Sequence, residues 1–164
     1  MRIFLRSLLT LALIVWLGAE VFFPVVAATV FRTLAPDTHT AGTIVGSLLR
    51  VLHFVGLSCG VLAIAVLALA PAWGLDRSRT VLASIALLVV MLAATAYSQF
   101  GIIPAMDRDR IAAGGAIQNV PASHPAHIHF QQLHKRSERI EQIVLFLGLA
   151  VVVLVASAES SPRP

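Results

Sequence analysis

The stretch "SLLTLALIVWLGAEVFFPVVAATVF", residues 7–31, contains one charged side chain, Glu20. A bilayer core about 30 Å thick needs roughly 20 helical residues, because an α-helix rises about 1.5 Å per residue. The stretch is long enough to cross that core. Its apolar residues are continuous and do not alternate, which favours a transmembrane helix over a barrel strand.

Three further stretches of the chain have the same character. Apart from the titratable His53, they contain no charged side chain, and they cover residues 51–75, 80–106 and 142–158. The sequence therefore predicts one all-α domain over residues 1–164, a four-helix transmembrane bundle with up-down-up-down topology. The predicted spans are about 4–31, 43–72, 79–103 and 126–158.

Composition excludes most other classes of protein. Of the 164 residues, 58% are hydrophobic and 12% are charged, too apolar a balance for a soluble domain. The net charge of +4 is scattered among membrane flanks, so we expect lipids and no nucleic acid as partners. Glycines on the helix faces leave homo-oligomers or another membrane partner open. Arginines flank both faces, so the positive-inside rule leaves orientation open.

Counting residues along each span predicts a polar layer near the face opposite the termini. Glu20 lies about 9 Å inside that face when the helix is counted from Ser7. Residues from all four spans reach a similar depth: Glu20, Arg50, His53, Gln99, His134, Glu138 and Glu141. A carboxylate in hydrocarbon is costly, so Glu20 should face inward, with Arg50 and His53 as its expected partners. Pro24 should kink the helix one turn later.

Helical periodicity indicates which polar side chains face each other. On the fourth helix one stripe contains His127, Gln131, His134, Glu138 and Glu141, and on the second helix Arg50 and His53 share a face with Gly46 and Gly60. We expect these two faces to meet. The segment Asp107–Arg110 is predicted to be a polar loop.

The polar layer leaves several functions open. A structural hydrogen-bonded network is one, and the handling of protons or a metal cation is the second, with His53, His134, Glu20 and Glu138 as ligands. The third is bis-histidine ligation of haem b by His53 and His134. Copper or another divalent ion and haem thus remain open as cofactors. Residues 124–134 contain further histidines without a closed zinc spacing. The sequence lacks nucleophile-elbow, P-loop and dinucleotide motifs, so we assign no catalytic residue.

The pattern from Trp16 to Gly56, followed by "FQQLHKRSE" at residues 130–138, resembles bacterial membrane proteins related to animal transmembrane protein 205. These are catalogued largely as a domain of unknown function. The family is more remotely similar to four-helix proteins of the copper-resistance D type and to haem-dependent membrane oxidases. The resemblance implies a multi-pass protein of the inner (plasma) membrane. It also implies copper or haem as the ligand, with His53 and His134 as the residues that would bind it. A glutamate at position 20 departs from the small residue expected there.

Overall fold

The computed structural model describes residues 1–69, 71 and 79–160, without the side chains of residues 2, 159 and 160. This part of the chain is helical, with no β-strand. The five α-helices are α1 (Arg2–Thr33), α2 (Thr38–Ala68), α3 (Arg79–Tyr97), α4 (Ile103–Ala112) and α5 (Pro125–Ser160). A π-helical turn, Ser98–Ile102, joins α3 to α4, and a 3₁₀ turn, Ile117–Asn119, precedes α5.

Within the described ranges, four helical segments are long and apolar enough to cross a bilayer: Ile3–Thr33, Thr38–Ala68, Arg79–Asn119 and Pro125–Ala158. The prediction of a four-helix transmembrane bundle is confirmed. The second span begins five residues earlier than expected, at Thr38. Its expected end at residue 72 lies outside the described residues. The third span extends well beyond its expected end at residue 103.

That extension corrects the prediction of a polar loop at Asp107–Arg110, because these residues lie within α4. Their charges are compensated in the helix: Asp107 forms ion pairs with Arg110 and with Arg50 of α2. The helix stops where the sequence changes to two glycines. Gly114 and Gly115 have φ angles of 77° and 102°, a left-handed conformation that glycine adopts without steric penalty.

The apolar core lies in the half of the bundle near the termini. Trp16 is fully buried at its centre, against Gly56 and Gly60 of α2, where a β-carbon would approach the indole to 2.5 and 2.8 Å. The core cluster also contains Leu9, Leu13, Leu17, Ala63, Val66, Leu67, Val81, Leu88, Met91, Val144 and Val151. Because glycine has no side chain, α1 and α2 can approach closely around the indole.

The outer surface is also apolar. Phe22, Phe146 and Val153 point away from the bundle and are exposed over more than three-fifths of their surface. In water such a surface would drive aggregation, whereas lipid chains solvate it at no penalty. The exterior thus agrees with an integral membrane protein.

Candidate functional site

His53 is the centre of the buried polar cluster. It is fully buried, with Nδ1 at 3.0 Å from Oε1 of Gln99 and Nε2 at 2.8 Å from Oε1 of Glu141. Two facing oxygens suit a ring that carries N–H on both nitrogens, which is the imidazolium form. A rotation of the Gln99 amide would present its NH₂ group to Nδ1 and suit the neutral ring instead. The cluster therefore accommodates both protonation states of His53 without any movement of the backbone.

Glu141 connects His53 with a pair of serines. Its Oε1 also accepts a hydrogen bond from Ser98 Oγ at 3.2 Å, and Ser98 lies 3.4 Å from Ser137 Oγ. Its Oε2 is buried, and no hydrogen-bond partner for it is found among the described residues. One carboxylate oxygen is thus held in place by His53 of α2 and by Ser98 of the π-helical turn, whereas the other is buried without a hydrogen-bond partner among the described residues and could carry a proton.

Glu20 is a buried carboxylate, with 5% of its surface exposed. Its Oε1 accepts a hydrogen bond of 3.2 Å from the indole Nε1 of Trp16, one turn earlier on α1. Trp16 reaches Glu20 because residues four apart on a helix are neighbours. Of the two partners expected from the sequence, Arg50 instead bonds to Asp107 on α4, and the pairing of Glu20 with His53 stays a prediction. The α1 helix also continues through Pro24 to Thr33.

The π-helical turn begins with two adjacent side chains of the cluster, Ser98 and Gln99, which are both buried. They follow Thr95 by three and four residues and so extend the buried face of α3. The amide of Ile103 bonds to the carbonyl of Ser98, five residues back. Pro104 accounts for this wider turn, because proline has no N–H for the carbonyl of Phe100 and its ring clashes with that carbonyl. Such turns often occur at functional sites.

A cavity of about 710 Å³ lies beside the cluster, between α1, α2, α4 and α5. Glu20 and Glu141 both line it. The exposed lining residues Phe31, His39 and Gln118 lie near the helix ends and connections at the face opposite the termini. From Phe31 to Glu20 the α1 helix descends about 16 Å. The two carboxylates therefore lie at the inner end of a cavity whose mouth is at the membrane face.

The remaining predicted site residues lie nearer the mouth of this cavity. Gln131, His134 and Glu138 all line it. His134 Nε2 lies 3.3 Å from Glu138 Oε1 on the same helix, with both side chains more than half exposed. The His134 ring stacks on Phe130, with centroids 6.3 Å apart. His134 is thus a residue of the cavity rim, whereas His53 belongs to the buried interior.

This arrangement bears on the metal and haem hypotheses. The ring nitrogens of His53 are both engaged by protein side chains, and His134 contacts its own helix. Over the described residues, no group of three or more His, Cys, Asp or Glu side chains has the geometry of a metal site. The assignment of His53, His134, Glu20 and Glu138 as metal or haem ligands stays a prediction.

Asp107 forms ion pairs with both arginines that line the cavity. Arg50 and Arg110 form ion pairs with its two oxygens, and the Arg110 guanidinium lies 5.2 Å from the centroid of the Phe130 ring. Nearby, His129 Nδ1 lies 2.9 Å from Asp109 outside the cavity lining. Asp107 of α4 therefore neutralises guanidinium groups from both α2 and α4.

Three members of the cluster were absent from the sequence prediction. Trp16 and Ser137 each lie one helical turn before a glutamate of the layer, at Glu20 and Glu141. Spacing of four residues was thus an available signal for both. Ser98 had a signal of another kind, because it follows Met91 and Thr95 by seven and three residues and so lies on the buried stripe of the third span.

Comparison with known proteins gives a family and no activity. A family model described as a domain of unknown function, DUF4149, matches residues 11–110. No curated protein and no solved structure matches the chain. The match covers α1 to α4, and so includes Glu20, His53 and Gln99 but not Glu141.

Proposed function

This chain belongs to the DUF4149 family and is an integral membrane protein, and we propose that it binds and releases protons at Glu20, His53 and Glu141. One observation carries the proposal: the buried carboxyl of Glu20 and the half-buried carboxyl of Glu141 come from different helices and line the same cavity, and Glu141 contacts a fully buried histidine. Ionisable groups at such depth are costly, and they commonly mark ion and proton pathways in membrane proteins.

Protons suit this geometry better than a ligated metal ion or haem. A metal ligand must offer a free lone pair, yet each nitrogen of His53 already faces Gln99 or Glu141. A proton needs only a donor and an acceptor that exchange roles. Gln99 supports such an exchange by amide rotation, and Glu141 offers a second oxygen that has no protein partner in the described part of the chain.

The test is infrared spectroscopy of the purified protein in lipid during a pH titration. Protonated carboxyl groups in an apolar site absorb at a frequency distinct from that of solvated ones. We expect two such bands, one lost in Glu20→Gln and the other in Glu141→Gln. The matched control is Glu138→Gln, one turn from Glu141 but more than half exposed, which should retain both bands.

The outcome is decisive when the variants are folded, as circular dichroism in the same lipid will establish. Identical titration spectra in the wild type, Glu20→Gln and Glu141→Gln would show that neither carboxylate exchanges a proton over the range studied. In that case the cluster serves to hold the helices in register, and the proposal fails.

A further inference from the structure

The charges that line the cavity are unevenly distributed. Four carboxylates and two guanidinium groups face it among the described residues, and both guanidinium groups are bound to Asp107. Glu20 and Glu141 receive hydrogen bonds from Trp16, Ser98 and His53 instead, and neither contacts an arginine. Since neither carboxylate is neutralised by an arginine, the inner end of the cavity favours a positive charge over a negative one when His53 is in its neutral form.

The walls around this inner end are apolar. Phe23, Leu49, Met106 and Leu145 come from four different helices and line the cavity around the carboxylates. Phe31 and Phe130 add aromatic rings to its lining. Aromatic faces attract cations as well as apolar groups. Such walls suit an organic cation whose charged centre is surrounded by apolar groups. They do not suit a hydrated inorganic ion.

The size and access of the cavity also suit a small molecule. Its volume of about 710 Å³ lies within the range of about 300–1,000 Å³ typical of small-molecule sites. Gly42 and Gly46 line it beside Arg110, and β-carbons built there would lie 3.8 and 4.0 Å from the guanidinium. The absence of side chains at these two positions keeps the wall of α2 open.

We propose that the cavity binds a lipophilic organic cation, with its charged centre at Glu20 and Glu141, in exchange for protons. This inference rests on the proton binding proposed above. Binding forms no covalent bond: the cation enters, a carboxyl proton leaves to water, and the charge of the buried site is conserved. The same two carboxylates would thus hold either protons or the cation, in competition.

Other titratable and charged groups face the two carboxylates and contribute to the pH dependence. They are His39, Arg50 and His53 from α2, Asp107 and Arg110 from α4, and His134 and Glu138 from α5. The test therefore needs variants that separate the inner carboxylates from the rim. Glu138 supplies that contrast, because it shares helix α5 and the cavity wall with Glu141.

The experiment is calorimetric titration of the full-length protein in detergent with tetraphenylphosphonium, a rigid lipophilic cation. We expect saturable binding that weakens as the pH falls, with release of protons into a weakly buffered solution. Glu20→Gln and Glu141→Gln should each weaken binding at least about tenfold, because a buried charge loses its partner. Glu138→Gln should change it by less than about threefold.

Tetraphenylborate, an anion of the same shape, is the matched control for partition into the micelle. Comparable binding of the anion, or unchanged binding in both inner variants, would overturn the inference. If either variant fails to fold, proton release from the wild type on addition of the cation decides the question, and binding without release overturns the exchange.

The two proposals fail in distinguishable ways. Titrating infrared bands at Glu20 and Glu141 without binding of tetraphenylphosphonium would remove the cation site and leave proton binding intact. Cation binding with no proton release and no titrating band would instead contradict the proposed function.

Discussion

The two halves of the bundle differ in how their helices pack: one half is closely packed, and the other encloses a cavity. Near the termini, small residues bring the helices together: Gly56 and Gly60 of α2 receive the indole of Trp16, and Gly148 of α5 faces Leu17 and Met91. Toward the other face, the space between α1, α2, α4 and α5 is left as a cavity, and polar side chains line it. Trp16 and Glu20, one turn apart on α1, mark the boundary.

The comparison shows what each half requires of its residues. Helices in lipid gain no hydrophobic force from association, so close van der Waals contact must hold them together, and this needs small residues at the interface. A cavity forfeits that contact, and hydrogen bonds among buried polar groups must then fix the positions of the helices. The tight half should therefore be sensitive to added volume, and the open half to the loss of polar partners.

The largest effect should come from adding volume to the tight half. In Gly56→Leu, the new side chain would collide with the indole of Trp16, from which even a β-carbon lies only 2.5 Å. We expect a loss of about 3 kcal/mol in the free energy of unfolding, since a packed core accommodates extra volume poorly. Reversible unfolding in mixed micelles measures it.

The control for that experiment is Gly18→Leu on α1, where a β-carbon would meet nothing within 4 Å. This variant should be as stable as the wild type. Equal losses in both variants would show that any glycine replacement disturbs the bundle, and the proposed difference between the halves would disappear.

A smaller effect should distinguish the buried cluster from the cavity rim. His53→Ala removes a partner of both Gln99 and Glu141, and we expect a loss of about 2 kcal/mol because the buried amide oxygen of Gln99 loses its hydrogen bond, whereas Glu141 keeps the one from Ser98. His134→Ala removes a half-exposed ion pair and should change stability by less than about 0.5 kcal/mol. Thermal unfolding of the two variants side by side makes the comparison, and similar losses would argue against separate roles.

The smallest effect concerns the connection between α1 and α2, where the side chain of Asp37 caps α2. Hydrogen bonds from Thr40 hold the pKa of this carboxyl below its ordinary value. A lowered pKa in the folded state means that the carboxylate stabilises the fold above its ordinary pKa. This contribution is lost as the pH falls through the lowered value.

Asp37→Asn provides the comparison, because its amide oxygen can cap the helix without titrating. The melting temperatures of the wild type and the variant should differ slightly at neutral pH and converge in strong acid, where the carboxyl is protonated. A difference that does not vary with pH would rule out this role for the charge. Circular dichroism during heating is sufficient.

The four-helix bundle was predictable, because a segment that crosses lipid must be both long and apolar, and this is visible in the sequence. Long uncharged stretches must be helical to satisfy their backbone groups, and their number determines the number of spans. The burial of His53, Gln99 and Glu20 could also be anticipated, since polar groups avoid lipid. The helical state of Asp107 and Arg110 was not anticipated from the local run of charges, and the pairing of Asp107 with Arg50, far away in sequence, is visible only in the structure.

The sequence by itself determined that four apolar helices cross a membrane, with polar side chains in one half, since hydropathy and helical periodicity are local properties. Only the tertiary structure decided which polar groups meet. It placed His53 between Gln99 and Glu141 and His134 at the rim, and it brought Ser98 within hydrogen-bond distance of Glu141. The physical reason is that a hydrogen bond requires two atoms about 3 Å apart. Helix rotation and packing decide which polar groups come that close.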